Sequence, residues 1–127
     1  MLCIQISEFR IIHRIIPCNK WLFNISIKTT SKCNFCDKED DLLHYFLYCP
    51  VTKQFWKCFF NWWHRQTEIC IHETLEEHML FGYPGNSDVE MVLNYCILYG
   101  KWFIFCQKIH ERNTIEIYDY LIQLKQR

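Results

Sequence analysis

The spacing of cysteines and a histidine between residues 33 and 49 constrains this chain more than any other sequence feature. Cys33 and Cys36 are separated by two residues, His44 follows after seven more, and Cys49 after another four. Two thiolates at this separation can hold one ion from a tight turn, and a histidine with a third thiolate completes a closed tetrahedral shell. This donor set predicts one structural Zn²⁺ bound by these four residues.

The sequence around the four donors predicts a short helix that ends before the last of them. Acidic residues at 39–41 suit the positive end of a helix, and residues 42–47 supply its apolar positions. His44 would lie on this helix. If the helix continued, Cys49 would point about 140° away from His44, since successive residues turn by ~100°. Pro50 disfavours the helical conformation at Cys49, so we expect this cysteine to turn back to the metal.

Other interpretations of these cysteines and histidines need weighing. A redox CxxC motif requires a thioredoxin-like βαβ context, which is missing here. Buried cysteines with a core histidine are the second alternative, because free cysteine is common in cores. A second metal site at Cys70, His72 and His78 lacks a fourth donor with suitable spacing. Five other cysteines are interpreted as core residues: Cys3, Cys18, Cys58, Cys96 and Cys106.

Composition favours a small, mainly α-helical domain. Half of the 127 residues are hydrophobic and 17% are aromatic, which supplies a core, whereas only three glycines and three prolines are present to make turns. Nine cysteines among 127 residues fall below the density of disulfide scaffolds, about 8–10%. Charged residues interrupt the apolar start of the chain, so no secretory signal is predicted. We expect an intracellular protein, in the nucleus or cytoplasm, that is not secreted.

Helical periodicity and capping signals recur along the chain. The predicted helices cover residues 7–16, 20–23 (capped by Asn19), 50 to about 64, a short segment after the Thr74/Glu77 capping box, about 88–112, and a last helix from Thr114 to about Lys125. The first two would form a hairpin. The most apolar stretch, residues 91–106, is shorter than a bilayer span of ~20 residues and is predicted to be a buried helix, with no membrane contact. We divide the chain into residues 1–67 and 68–127, packed together as one domain.

The formal net charge is zero, but the charges are segregated. Residues 1–36 contain five basic residues and one acidic residue. These five could contact nucleic-acid phosphates, and a solvated basic face is the alternative for each of them; they are Arg10, Arg14, Lys20, Lys28 and Lys32. Three tryptophans could stack on bases, although such residues are more often part of a core; they are Trp21, Trp56 and Trp62.

Three consecutive segments together resemble a known family. They read FRIIHRIIPCNKWLFNISIK, CNFCDKEDDLLHYFLYCP and VTKQFW. This order resembles the zinc-binding region that lies C-terminal to the polymerase in non-LTR (LINE-type) retrotransposon reverse transcriptases. The resemblance covers about residues 8–65, and the later strings LFGYPG and NYCILYGKW are less distinctive. It implies a role in handling RNA or target DNA. An alternative is a packing module that contacts the polymerase part of such an element and has no activity of its own.

The resemblance does not extend to catalysis. The family's polymerase uses metal-binding aspartates in a Tyr-x-Asp-Asp motif, which this chain lacks; Asp40-Asp41 and Tyr118-Asp119-Tyr120 are the nearest strings. Neither provides the several carboxylates that magnesium catalysis requires. We therefore expect a non-catalytic, detached C-terminal segment that begins at an internal methionine and has no small-molecule substrate. A thiol oxidoreductase or a Cys/His hydrolase is the least favoured class, because no nucleophile signature stands out.

Overall fold

The protein is mainly helical in a computed structural model, which describes residues 18–71, 76–112 and 114–126. These residues form five α-helices and one π-helix: α1 (Asn19–Asn24), the π-helix (His44–Tyr48), α2 (Pro50–Thr67), α3 (Glu76–Phe81), α4 (Asp88–Ile109) and α5 (Ile117–Lys125). Within these residues there is no strand, and one isolated antiparallel bridge joins Lys32 to Glu39. The predicted mainly α fold class is confirmed.

Helix α2 follows the predicted amphipathic pattern. Pro50 occupies its first turn, where the missing N–H costs no hydrogen bond. Phe55, Phe59 and Trp63 are buried along one face. The helix extends three residues beyond the predicted end, and Glu68 ends it in the left-handed conformation with φ 60°.

Helix α4 is the longest element and has a complete capping box. The Ser87 hydroxyl accepts a hydrogen bond from the Glu90 N–H, and the Glu90 carboxylate accepts one from the Ser87 N–H. The helix ends at Ile109, three residues before the predicted end. By length and hydropathy it could cross a membrane, but half of its apolar 18-residue window is buried in the structure, and the core helix of a soluble protein has the same features.

Aromatic side chains from α2, α4 and α5 form the centre of the core. The Tyr120 ring lies 5.3 Å from the Phe55 ring and 5.7 Å from the Phe103 ring, both in edge-to-face geometry. Its hydroxyl donates to the Cys96 carbonyl at 2.7 Å. At Gly100, a Cβ atom would lie 2.9 Å from the Trp56 ring, so glycine permits the close approach of α2 and α4.

Two predicted helix starts are wrong. Cys18, not Asn19, is the N-cap of α1, because the Asn19 side chain bonds a neighbouring loop instead. Helix α5 begins at Ile117 with Glu116 as N-cap, whereas Thr114 was the predicted cap. Ile115 is buried in the extended segment before the helix. The predicted helix over 7–16 and the capping residue Thr74 lie outside the described residues.

Candidate metal centre

The loop that holds Cys33 and Cys36 is closed by backbone hydrogen bonds. The Cys33 N–H donates to the Lys38 carbonyl at 2.8 Å, and the Asp40 N–H donates to the Ser31 carbonyl at 2.9 Å. The Phe35 N–H lies 3.4 Å from the Cys33 sulfur and donates to it. These bonds turn the chain so that both CxxC sulfurs point into the same space.

His44 and Cys49 are brought together by a π-helical turn. The Asp41 carboxylate accepts a hydrogen bond from the His44 N–H at 2.8 Å and so stabilises the start of this turn. The Cys49 N–H donates to the His44 carbonyl at 2.8 Å, an i to i−5 bond that closes a wider turn than an α-helix. Cys49 itself is extended, with φ −58° and ψ 134°. The predicted helix end before Cys49 is therefore observed, but the helix is a π-helix and not the predicted α-helix.

The four predicted donors converge on one point. Their ligand atoms all lie within 4.8 Å of one another. The Cys33 and Cys49 sulfurs are 3.8 Å apart, and the Cys36 sulfur is 3.4 Å from His44 Nε2. Thiolates bound at ~2.3 Å around a tetrahedral ion are about 3.8 Å apart, and a sulfur and a ring nitrogen about 3.5 Å. These two distances match those of a closed tetrahedral shell, and the group could hold a metal ion.

Burial changes the protonation of two donors when no metal is bound. It raises the pKa of the Cys33 thiol to about 11, against smaller effects of hydrogen bonds from backbone N–H groups. Burial also lowers the pKa of His44, which favours the neutral imidazole that metals bind. Metal binding must therefore displace a proton from Cys33, while His44 is close to its binding form at neutral pH.

Lys108 reaches the centre from the far end of α4. It is 8% exposed, and its ammonium donates to the Tyr45 carbonyl at 2.6 Å and lies beside Cys49. It also lies 4.4 Å from the centroid of the Tyr45 ring. Burial lowers the pKa of Lys108, and the neighbouring Cys49, Asp40 and Cys33 oppose this shift. Lys108 is not among the residues predicted from the sequence, because nothing local relates position 108 to the cysteines.

A second polar network fastens α1 to the metal-binding loop. The Asn19 amide nitrogen donates to the Lys32 carbonyl at 2.6 Å and to Asn34 Oδ1 at 3.1 Å, and the Asn19 backbone N–H donates to the Asp40 carboxylate at 2.9 Å. Asn19 and Asp40 are both buried. The other Asp40 oxygen is buried without a hydrogen-bond partner. This asparagine thus orders the loop that carries the first two donors.

Three of the five residues predicted to bind nucleic acid, Lys20, Lys28 and Lys32, lie among the described residues. Lys20 lies 3.7 Å from the Glu39 carboxylate, and the Lys28 ammonium donates to the Asn19 side-chain oxygen at 3.0 Å. Lys32 is exposed. Arg10 and Arg14 lie outside the described residues. Binding of phosphates by this set remains a prediction.

The remaining candidates can also be placed. Cys18 and Cys96 are buried, Cys58 and Cys106 are half-buried, and Cys3 lies outside the described residues. Cys70 is exposed, the His78 ring packs 4.7 Å from the Tyr83 ring, and His72 is not described. Among the described residues, the Cys33 group is the one cluster of metal-binding side chains. Trp56 is buried and donates to the Phe46 carbonyl at 2.7 Å, while Trp21 and Trp62 are half-buried core neighbours.

Comparisons of the chain with protein-family models, curated proteins and solved structures give no match.

Proposed function

We propose that this chain is a non-catalytic zinc-binding module that binds RNA or DNA. The observation that carries the proposal is the convergence of three thiols and one imidazole within 4.8 Å. Sulfur-rich tetrahedral shells favour zinc over magnesium or calcium, which prefer oxygen donors. All four positions are filled by protein side chains, so the ion would have a structural role. A catalytic zinc needs an open position for water or substrate.

The charge around the site supports zinc in this shell. A divalent ion with three thiolates has a net charge of −1, which is costly in a buried site. The Lys108 ammonium lies beside Cys49 and would offset this charge. The charges of the ion, the three thiolates and Lys108 would then sum to zero.

Nucleic-acid binding is supported by the segregated basic charge of residues 1–36 and by the resemblance to the retrotransposon region. Phosphate contacts by lysine and arginine bind without base specificity and weaken as salt increases. We therefore expect weak binding of single strands with little sequence preference.

Native mass spectrometry with and without a chelator tests the metal. We expect one Zn²⁺ per chain, lost together with native charge states when the metal is removed. Binding of labelled RNA and DNA by the zinc-loaded chain, measured across salt concentrations, tests the second part. Charge reversal at Arg10 and Arg14 is expected to make the log–log salt slope shallower by about one to two units, since each contact contributes about −0.7 with single strands. Zinc content should not change.

A protein-packing module is the second candidate function, and one observation favours it. Large apolar side chains are exposed near the start of α4: Val89, Met91 and Val92, together with Phe81 at the end of α3. Exposed apolar side chains in one region mark a surface that a partner protein can cover. If the zinc-loaded chain binds neither RNA nor DNA at low salt, this second candidate replaces nucleic-acid binding, and the metal assignment is unaffected.

A further inference from the structure

Three lysines that the charge pattern of residues 1–36 does not include share one groove beside the metal centre. Lys38, from the loop after the CxxC pair, and Lys53 and Lys57, from α2, line an open cavity of about 800 Å³. We define it as the lysine groove. Cys36 and His44 also line it, so the groove borders the metal donors. Tyr48 from the π-helix lies along the same cavity.

The two lysines of α2 are held in place by the buried face of that helix. Lys53 and Lys57 are four residues apart and therefore neighbours on one helix face. Phe55 and Phe59 on the other side are buried in the core. Both lysines are exposed, as is Lys38. The core thus fixes the part of α2 from which both lysines project at the edge of the groove.

The groove carries positive charge without internal compensation. The ammonium groups of Lys38, Lys53 and Lys57 form no hydrogen bond or ion pair with the described part of the chain. None of the lining residues is acidic, although Glu76 bonds the Tyr48 hydroxyl at one end. By contrast, Lys20 and Lys28 of the sequence-predicted set already have partners. Like charges held together in this way attract a polyanion.

Tyr48 indicates which polyanion fits. Its side chain is 47% exposed beside the lysines. An exposed aromatic ring next to a row of cations is the arrangement with which proteins bind single-stranded nucleic acid, because bases stack on the ring while the backbone follows the charge. An acidic peptide would use the lysines but would not need the ring.

We propose that the lysine groove is the surface that binds single-stranded RNA or DNA, with phosphates at Lys38, Lys53 and Lys57 and a base stacked on Tyr48. This inference rests on the proposed nucleic-acid function. The main contacts with nucleic acid would then lie in the lysine groove, next to the metal centre, and not in residues 1–36.

Two triple variants of equal charge test the assignment. The groove variant is K38Q/K53Q/K57Q, and the matched control is K20Q/K28Q/K32Q. Both are compared with the unchanged, zinc-loaded full chain by fluorescence anisotropy with labelled oligo-U RNA and oligo-dT DNA over a range of salt. We expect the groove variant to make the log–log salt slope shallower by about two units, from about −0.7 per lost contact. The control should change it by less than one unit.

A pair of Tyr48 variants tests stacking separately from charge. Tyr48→Ala should weaken binding by roughly 5-fold to 100-fold without changing the salt slope, because base stacking is not an ionic contact. Tyr48→Phe retains the ring and loses the hydrogen bond to Glu76, so it should bind like the unchanged chain. Zinc content and circular dichroism must match in all variants, so that a loss of binding is not a loss of fold.

The outcomes distinguish the two proposals. Suppose that the unchanged chain binds. If the groove variant then has the same salt slope as the unchanged chain, or if both triple variants become shallower by the same amount, the lysine groove is not the nucleic-acid-binding surface, although the chain still binds nucleic acid. If the unchanged chain binds neither oligonucleotide, both proposals fail. A difference in affinity between oligo-U and oligo-dT identifies the preferred nucleic acid in either case.

Discussion

Residues 18–49, the metal-binding segment, and residues 50–126, the helical segment, are built in different ways. Among the described residues, fifteen buried hydrophobic side chains belong to the helical segment and six to the metal-binding segment. Two of those six are the donors Cys33 and Cys49 themselves. The regular elements of the metal-binding segment are six and five residues long, whereas α2 and α4 have 18 and 22 residues.

This difference shows where each segment obtains its stability. Helices of six residues are too short to be stable alone, and a handful of apolar side chains cannot offset the entropy of ordering a long loop. We therefore expect the metal-binding segment to depend on polar bonds and on a bound ion, whereas the helical segment depends on its aromatic core. Lys108 joins the two, because it belongs to α4, donates to the Tyr45 carbonyl and lies beside Cys49.

The largest expected effect is that of removing a metal donor. Cys36→Ser should unfold the metal-binding segment, at least over residues 33–49, and leave much of α2, α4 and α5 intact. Structural zinc supplies about 10–16 kcal/mol of apparent binding free energy, all of which acts on the segment that forms the site. Amide hydrogen exchange measures this region by region. The matched control is Cys58→Ser, another half-buried cysteine, which should retain zinc and exchange protection.

Two results would contradict the expectation that the metal stabilises the metal-binding segment and not the helical segment. Protection over residues 33–49 that survives both Cys36→Ser and a chelator would exclude a structural role for the metal. Loss of protection throughout α4 would mean that the helical segment also needs the ion.

A core substitution should destabilise the helical segment, whether or not metal is bound. Phe59 is fully buried on α2 and its ring contacts the rings of Trp56 and Tyr120. Phe59→Ala should lower the free energy of unfolding by about 3–5 kcal/mol, because it leaves a cavity among aromatic rings. Urea unfolding, followed by circular dichroism with and without chelator, should give a similar loss in both conditions. Phe60→Ala, at a half-buried neighbour, is the control and should cost less.

The link between the segments gives a smaller, specific effect. Lys108→Met removes the ammonium beside Cys49 and should lower zinc affinity about 10-fold to 100-fold, the usual effect of losing a residue that supports a metal ligand. Competition with a chromophoric chelator measures it, and the absorption of the cobalt-substituted site should shift as well.

Lys101→Met is the matched control for Lys108→Met. Lys101 lies two turns earlier on α4, is 2% exposed and donates to the Leu80 carbonyl at 2.6 Å. Its loss should reduce stability without changing zinc affinity or the cobalt spectrum. Equal loss of affinity in both variants would show that Lys108 acts only through the fold.

Local sequence patterns predicted most of the helical segment. The apolar spacing of Phe55, Phe59 and Trp63 and the proline at the start of α2 are properties of neighbouring residues, so sequence alone determines them well. The four donors were found for a similar reason, since metal ligands must follow a limited set of spacings. Helix ends were less accurate, because capping depends on where a side chain finds its partner. Asn19 is an example, as it bonds the metal-binding loop rather than its own helix.

Features that depend on long-range contacts were not predictable in this way. Lys108 is 59 positions from Cys49 in the sequence, and only the packing of α4 brings them together. The π-helical turn was missed because no local preference distinguishes it from an α-helix. The five-residue step from His44 to Cys49 was the available signal, since an i to i−5 bond places residues five apart near each other. The lysine groove likewise combines a loop residue with α2, and charge counts along the chain could not group them.

The smallest expected effect concerns the reciprocal capping box at the start of α4. The N-cap of α1, Cys18, makes no side-chain capping bond, whereas the Ser87 hydroxyl accepts from the Glu90 N–H at 3.3 Å. Ser87→Ala should therefore cost about 1 kcal/mol and speed amide exchange in the first turn of α4 alone. Ser87→Thr, which retains the hydroxyl, should cost less. Because Ser87 and Lys108 stand at opposite ends of a 22-residue helix, fraying at the start of α4 should not reach the metal. Unchanged zinc affinity in Ser87→Ala would show that only the far end of α4 contributes to the metal centre. A measurable loss of affinity would show that the whole helix must be intact to hold Lys108 in place.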